Sequence, residues 1–222
     1  MKNMQSISAS NLIIVFDFDG TLANTIVSFE KIFSKIAVQY KLPPLTKEEI
    51  LSLRESRPQE ILSRLGLTGF RLLKLPFIVR AGRREIAKEI DQFKTFNGIR
   101  EVLQELKKNH KLGIITSNSV KNVERFLRNN DVEYFDFIYS VGLFNKSKQL
   151  KKLMEKYKLT PEDIIYVGDE IRDIEAARKN GMKVISVSWG LNSKNALEKY
   201  MPDYLADTPH QMLKFIINQP PF

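Results

Sequence analysis

Five apolar runs of strand length punctuate this chain, at 11–16, 111–116, 137–140, 164–167 and 184–187, and the later ones alternate with stretches of helical period. A strand with one wet face alternates apolar and polar residues. Runs as unbroken as Ile164-Ile165-Tyr166-Val167 belong to strands covered on both faces. Parallel strands need long crossovers, and helices expected at 120–128, 148–157 and 171–179 supply them. The pattern therefore predicts an α/β fold with a doubly wound parallel sheet. Thr160-Pro161-Glu162-Asp163 reads as a helix start, with Thr160 as N-cap and the proline in the first turn. Gly181 reads as the stop before the last run.

Between about 24 and 95 the strand signal ceases. Ile26, Phe29, Ile32, Phe33 and Ile36 recur at helical spacing, and further helices are expected at 46–65 and 70–93, with Pro76 a candidate break in the second. The expected division is a core of residues 1–23 and 96–222 and an inserted helical cap of residues 24–95. Such a cap would sit above the carboxyl edge of the sheet, where open α/β folds bind ligands. Residues 220–222 are expected to lie outside the fold.

Composition narrows the chemistry. The chain has no cysteine, so disulfides, thiol catalysis and thiolate metal sites are excluded, and two histidines, His110 and His210, make a histidine-rich metal site improbable. A metal here would be a hard cation held by oxygen, which suits magnesium. The net charge of +9 admits an anionic substrate or a nucleic acid. However, the basic residues are scattered among glutamates, as in 101–108, and read as solvated helix faces, so no nucleic-acid partner is expected. The apolar runs are of strand length and the first residues resemble no secretory signal, so the expectation is a cytoplasmic protein without a membrane segment.

Four polar clusters fall at the carboxyl ends of these strands: Asp17 and Asp19 after the first, Thr116-Ser117-Asn118-Ser119 after the second, Lys146 and Lys148 after the third, and Gly168-Asp169-Glu170-Ile171-Arg172-Asp173 after the fourth. Strand ends on one edge of a parallel sheet converge, so these groups can meet. Two carboxylates one residue apart beside a buried strand repel one another, and a divalent cation removes that penalty. Each cluster also has a plainer explanation. Asp-Gly-Thr makes an Asx turn, Ser119 can cap a helix, a lone lysine is usually on the surface, and acids favour a helix N-terminus.

Taken together and in order, the clusters resemble the haloacid dehalogenase superfamily of phosphohydrolases, in its phosphoglycolate-phosphatase-like branch with a Rossmann-like core and a helical cap. The motifs are Asp17-Phe18-Asp19-Gly20-Thr21, the strand ending in Thr116-Ser117-Asn118, Lys146 (with Lys148 as rival), and Gly168-Asp169 with Asp173. The resemblance implies a phosphatase of a small phosphate ester. Asp17 would be the nucleophile that becomes an aspartyl-phosphate, and Asp19 the acid and then the base. It implies magnesium held by Asp17, Asp169 and the backbone carbonyl of Asp19, and substrate contacts from Ser117, Asn118 and Lys146. Asp173, Gly168 and Thr21 would be supporting residues, and the protein a monomer or homodimer. Asn24 stands where many relatives have an acid, and Glu170 adds a carboxylate that reads as a helix cap. Among the arginines of the insertion, Arg54, Arg57, Arg80, Arg83 and Arg84, the one before Pro58 is the favoured substrate grip. The same core also suits a phosphomutase. A phosphonate hydrolase would need a cap lysine such as Lys31 or Lys35, and a non-enzymatic binding protein could keep the fold for its basic surface.

Overall fold

The computed structural model describes residues 12–218; residues 1–11 and 219–222, including the expected tail, lie outside them. β1 (Ile13–Phe16), β2 (Lys111–Thr116), β3 (Phe137–Ser140), β4 (Ile164–Gly168), β5 (Lys183–Val187) and β6 (Tyr204–Ala206) form one sheet in the order β3-β2-β1-β4-β5-β6. Every neighbouring pair is parallel. β1 lies inside the sheet, with Phe16 in register with Ile114 on one side and Val167 on the other. The residues that follow these strands therefore leave the sheet at the same edge.

After β1 come four helices, α1 (Phe29–Tyr40), α2 (Lys47–Leu53), α3 (Pro58–Arg64) and α4 (Leu75–Glu89). They share an apolar cluster of their own, in which Ile32, Ile36, Leu42, Leu65, Leu67 and Ala81 are buried. The helix expected at 46–65 is two helices. Arg57 is extended ahead of Pro58, because a residue before proline is pushed out of the helical region, and Pro58 then opens α3. The stretch expected at 70–93 is divided at Pro76, which occupies the first turn of α4 after a 3-10 stretch at Gly69–Lys74, and α4 ends at Glu89 rather than at 93. The two connections to the sheet run side by side, with Ala23 bridged to Thr95 and the Asn24 N–H on the Lys94 carbonyl at 3.0 Å.

The remaining helices are α5 (Ile99–Leu106), α6 (Val120–Asn129), α7 (Lys146–Tyr157), α8 (Ile171–Arg178), α9 (Lys194–Lys199) and α10 (Pro209–Ile217). They divide between the two faces of the sheet. Ile14 and Phe16 join Val102 and Leu103 of α5, Val123 and Phe126 of α6 and Met212 and Ile216 of α10. Ile13 and Val15, alternating with them, join Leu150 and Leu153 of α7, Ile174 and Ala177 of α8 and Leu197 of α9. This is why the strands read as unbroken apolar runs. Each large side chain so buried contributes about 1.5–3 kcal/mol. Two details depart from the sequence reading. α7 begins at Lys146 rather than at 148, and the Thr160 start yields a single 3-10 turn, Pro161–Asp163, before β4. Among the described residues no helix is long and apolar enough to cross a membrane.

Candidate active site

Asp17 is the first residue past β1, and its N–H still pairs with the Val167 carbonyl at 2.8 Å, so its position is fixed by the sheet. The chain then turns back, with the Leu22 and Ala23 N–H groups both on the Phe18 carbonyl at 3.0 Å. Gly20 makes the turn possible in two ways. Its φ is +76°, and a Cβ there would sit 2.3 Å from Asp169 Oδ2. The turn delivers Thr21, which donates its hydroxyl to Asp169 Oδ1 at 2.6 Å. Asp169 leaves β4 fully buried and takes a second hydrogen bond on Oδ2 from the Leu191 N–H at 2.7 Å. Gly168 leaves room for Asp173, since a Cβ would lie 2.3 Å from its Oδ2.

One carboxylate oxygen from each of Asp17, Asp169 and Asp173 lies within 4.8 Å of the others, and all three residues are buried. Lys146 opens α7 beneath them. Its Nζ is 2.5 Å from Asp17 Oδ2 and 2.5 Å from Asp173 Oδ1, and only 3% of the side chain is exposed. Lys148 is exposed, so burial separates the two rivals. Burial pulls the ammonium of Lys146 down, but the charges of Asp17 and Asp173 more than offset it and its pKa is raised. Burial raises the carboxyls: Asp173 to about 6, with Lys146 holding it lower than it would otherwise stand. Asp169 stands well above the usual carboxylate range for the same reason, reinforced by Glu170, Asp17 and Asp173.

Two residues after Asp17, and lining a cavity together with Gly20 and Thr25, stands Asp19. Burial, and then the charge of Asp17, raise it to about 7, against the hydrogen bonds of Asn118 and Thr25. The Asn118 amide donates to Asp19 Oδ1 and Oδ2 at 3.2 and 3.1 Å, while its own Oδ1 accepts from the Ser119 N–H and from Asn122 Nδ2. Asn118 thus holds Asp19. Ser117 is half-buried, and its hydroxyl is committed to no hydrogen bond among the described residues, whereas the Thr116 hydroxyl is fully buried and accepts from the Asn118 N–H at 2.9 Å. Ser119 caps α6 through the Asn122 N–H at 3.2 Å.

The arginines of the helical block sort clearly. Arg57 pairs with Glu175 of α8 and lies over the Tyr200 ring, away from the carboxylates. Arg80 and Arg84 are exposed. Arg83 reaches the loops after β2 and β3, donating Nε to the Ser117 carbonyl at 2.6 Å and Nη2 to the Val141 carbonyl at 2.9 Å. Arg54 donates to the Leu191 and Gly190 carbonyls at 3.0 and 3.2 Å, gripping the loop whose N–H holds Asp169. Lys31 and Lys35 are largely exposed and paired with Glu89 and Glu85, so neither is the buried amine a Schiff base needs. Glu170 does stand at the N-cap of α8, but its carboxylate goes to Arg172. Arg172 also donates to the Leu143 carbonyl at 3.1 Å, and no role was read for it in the sequence. Asn192 was missed entirely: it accepts from the Ile171 N–H and donates to the Arg54 carbonyl, and nothing in a loop asparagine marks such a duty in advance.

A family model for haloacid dehalogenase-like hydrolases matches residues 14–187. The chain is 30% identical over 206 residues to a phosphoglycolate phosphatase of Synechococcus elongatus, covering 91% of this chain and 96% of that one. It is 27% identical to the pyrophosphatase PpaX of Bacillus mycoides, over 91% of this chain and 95% of that one. Among solved structures, a haloacid dehalogenase-like hydrolase from Streptococcus pneumoniae superposes with a TM-score of 0.75 at 25% identity, over 94% of this chain and 100% of that one. A phosphatase fold from Clostridium acetobutylicum reaches a TM-score of 0.78 at 22% identity, over 96% and 100% of the two chains.

Proposed function

The chain belongs to the haloacid dehalogenase-like hydrolase family, and from that membership we propose that it is a magnesium-dependent phosphatase of a small phosphate monoester. The observation that carries the reading is the meeting of three buried carboxylates, from Asp17, Asp169 and Asp173, with the buried ammonium of Lys146 at one edge of the sheet. Buried acids this close are tolerable when neutralised, and an all-oxygen donor set with no sulfur or imidazole suits a hard cation. Asp17 and Asp169 would hold magnesium, with the Asp19 carbonyl, and Asp173 stands within reach of the same position. Bound there, the ion supplies charge neutralisation for the phosphoryl group.

The chain's own residues do the rest. Asp17 is held by the Phe18 N–H at 2.7 Å on Oδ1 and by Lys146 on Oδ2, so its carboxylate is aimed rather than free to rotate. An oxygen of Asp17 bonds to phosphorus while the ester oxygen leaves with the bonding pair, and Asp19 gives that oxygen its proton. Asp19 then takes a proton from the water that attacks the aspartyl-phosphate, which releases phosphate and restores both carboxyls. A carboxyl raised to about 7 can hold and release a proton near neutral pH, which is what this double duty asks. Lys146 neutralises phosphoryl charge, and the uncommitted Ser117 hydroxyl donates to a phosphoryl oxygen. Helices α1–α4, held to the core by Arg54 and Arg83, act as the cap that keeps bulk water out.

The test is phosphate release from p-nitrophenyl phosphate by the full chain with magnesium, alongside Asp17→Asn and a sample treated with EDTA. Release that disappears in both supports the reading; a fully active Asp17→Asn protein overturns it.

A further inference from the structure

A cavity of about 270 Å³ opens on Asp19 and Gly20, between the helical block and the core. Its walls are apolar on both sides: Ile26, Phe29, Ile32 and Ile86 from the block, Leu143 and Leu191 from the core. Its one lining cation is Arg172, whose charge is paired with Glu170. Nη2 is paired with Glu170 and Nη1 is on the Leu143 carbonyl, while Nε is buried without a hydrogen-bond partner. Thr25 and Asp19, also in the wall, serve each other.

We infer that the substrate carries an apolar leaving group of about the size of an aromatic ring with a short linker, seated in this cavity. The inference rests on the phosphatase reading, because it places the departing oxygen at Asp19. An apolar cavity of roughly 150 Å³ is enough for a benzene ring, so 270 Å³ accommodates a ring and a two-carbon linker. A carboxylate-bearing leaving group of two carbons would fill little of that space. It would also set its charge against aliphatic walls beside Glu170, and the one cation in the wall is already paired with that carboxylate.

The experiment compares kcat/KM for 2-phenylethyl phosphate, ethyl phosphate and 2-phosphoglycolate, by phosphate release from the full chain with magnesium. The first two share an alkyl leaving oxygen, so their ratio reports the cavity rather than leaving-group acidity. One methylene in such a pocket is worth roughly tenfold or more, so 2-phenylethyl phosphate is expected to exceed ethyl phosphate by on the order of 10²-fold. It should also exceed 2-phosphoglycolate, and Phe29→Ser should shrink the first ratio by about tenfold. A ratio within about threefold in the unaltered protein overturns the inference. So does a preference for 2-phosphoglycolate that Arg172→Gln removes; either result leaves the phosphatase intact. Release from none of the esters, p-nitrophenyl phosphate included, overturns both readings together.

Discussion

Replacing Lys146 by methionine keeps the length of the side chain and removes the one ammonium that, among the described residues, touches the carboxylate cluster. The wild-type Nζ sits 2.5 Å from both Asp17 and Asp173, with 3% of the side chain exposed, so solvent cannot substitute for it. Breaking a buried ion pair by removing one partner costs about 3–5 kcal/mol, since a charge is left without compensation. For a chain of 222 residues each kcal/mol lowers Tm by about 2–4 °C. The expected loss in EDTA is therefore roughly 6–20 °C. Magnesium should raise the Tm of Lys146→Met by more than it raises that of the wild type, because the ion no longer competes with an ammonium for Asp17. The deficit should also depend on pH. Asp173 stands at about 6 against an ordinary 3.8, so the stability tied to its proton is present below the unfolded value and lost as pH rises through the folded one. Lys146 holds that folded value down. Without it the carboxyl rises further, and the gap between variant and wild type should widen from about pH 5 to about pH 8. Differential scanning fluorimetry with and without magnesium reads all three. A variant Tm within about 2 °C of wild type in EDTA, or a magnesium response no larger than that of the wild type, would refute the reasoning.

Asp19→Asn should lower turnover by on the order of 10²–10⁴ while leaving Tm nearly unchanged, and a rate within a factor of two in a phosphate-release assay would remove its acid–base role. Asn118→Ala deletes hydrogen bonds that favour the charged form of Asp19, so its pKa should climb above about 7. The first step needs the protonated acid, so the alkaline fall of kcat/KM should move to higher pH; a shift to lower pH contradicts the assignment. Gly20→Ala combines a φ of +76° with a Cβ 2.3 Å from Asp169 Oδ2. It should cost roughly 2–5 kcal/mol and abolish the magnesium response in thermal melts, and a wild-type melt would show that the turn tolerates a side chain.

The sheet was legible because its strands are covered on both faces, so Ile13 to Phe16 and Ile164 to Val167 stand out with no need of partners. β6 was not, for its Tyr204 and Leu205 are only half-buried at the edge, and three residues offer no period. The same limit explains Lys146. Two lysines lie two residues apart before a helix, and only the helix start decides which one turns inward; α7 begins at Lys146 itself. The acids at the strand ends could be read because like charges in a buried turn have few other uses. Arg54, Arg83 and Asn192 could not, because each acts mainly on backbone carbonyls of distant loops, and a carbonyl leaves no trace in the residue type. Arg57 shows the converse. The proline after it does fix the local turn, but the direction of that turn depends on Glu175, more than a hundred residues away.

The charge of the chain and the charge of its site have opposite signs, and the difference bears on the order of events. The protein carries +9 overall, yet among the described residues the five acids Asp17, Asp19, Asp169, Asp173 and Glu170 outnumber the cations that face them, Lys146, Arg172 and, toward Asp19, Arg83. Burial first, and then the neighbouring acids, raise the carboxyls of Asp19 and Asp173, so both favour retaining a proton. A basic surface draws a phosphate ester toward the protein, but a second anion entering a surplus of carboxylates meets repulsion at the last few ångströms. Magnesium held by Asp17 and Asp169 would reverse this at the point of contact and leave the long-range attraction in place. On the proposed reading the anionic substrate should therefore bind after the cation, and Arg172, paired with Glu170, is no substitute for the ion.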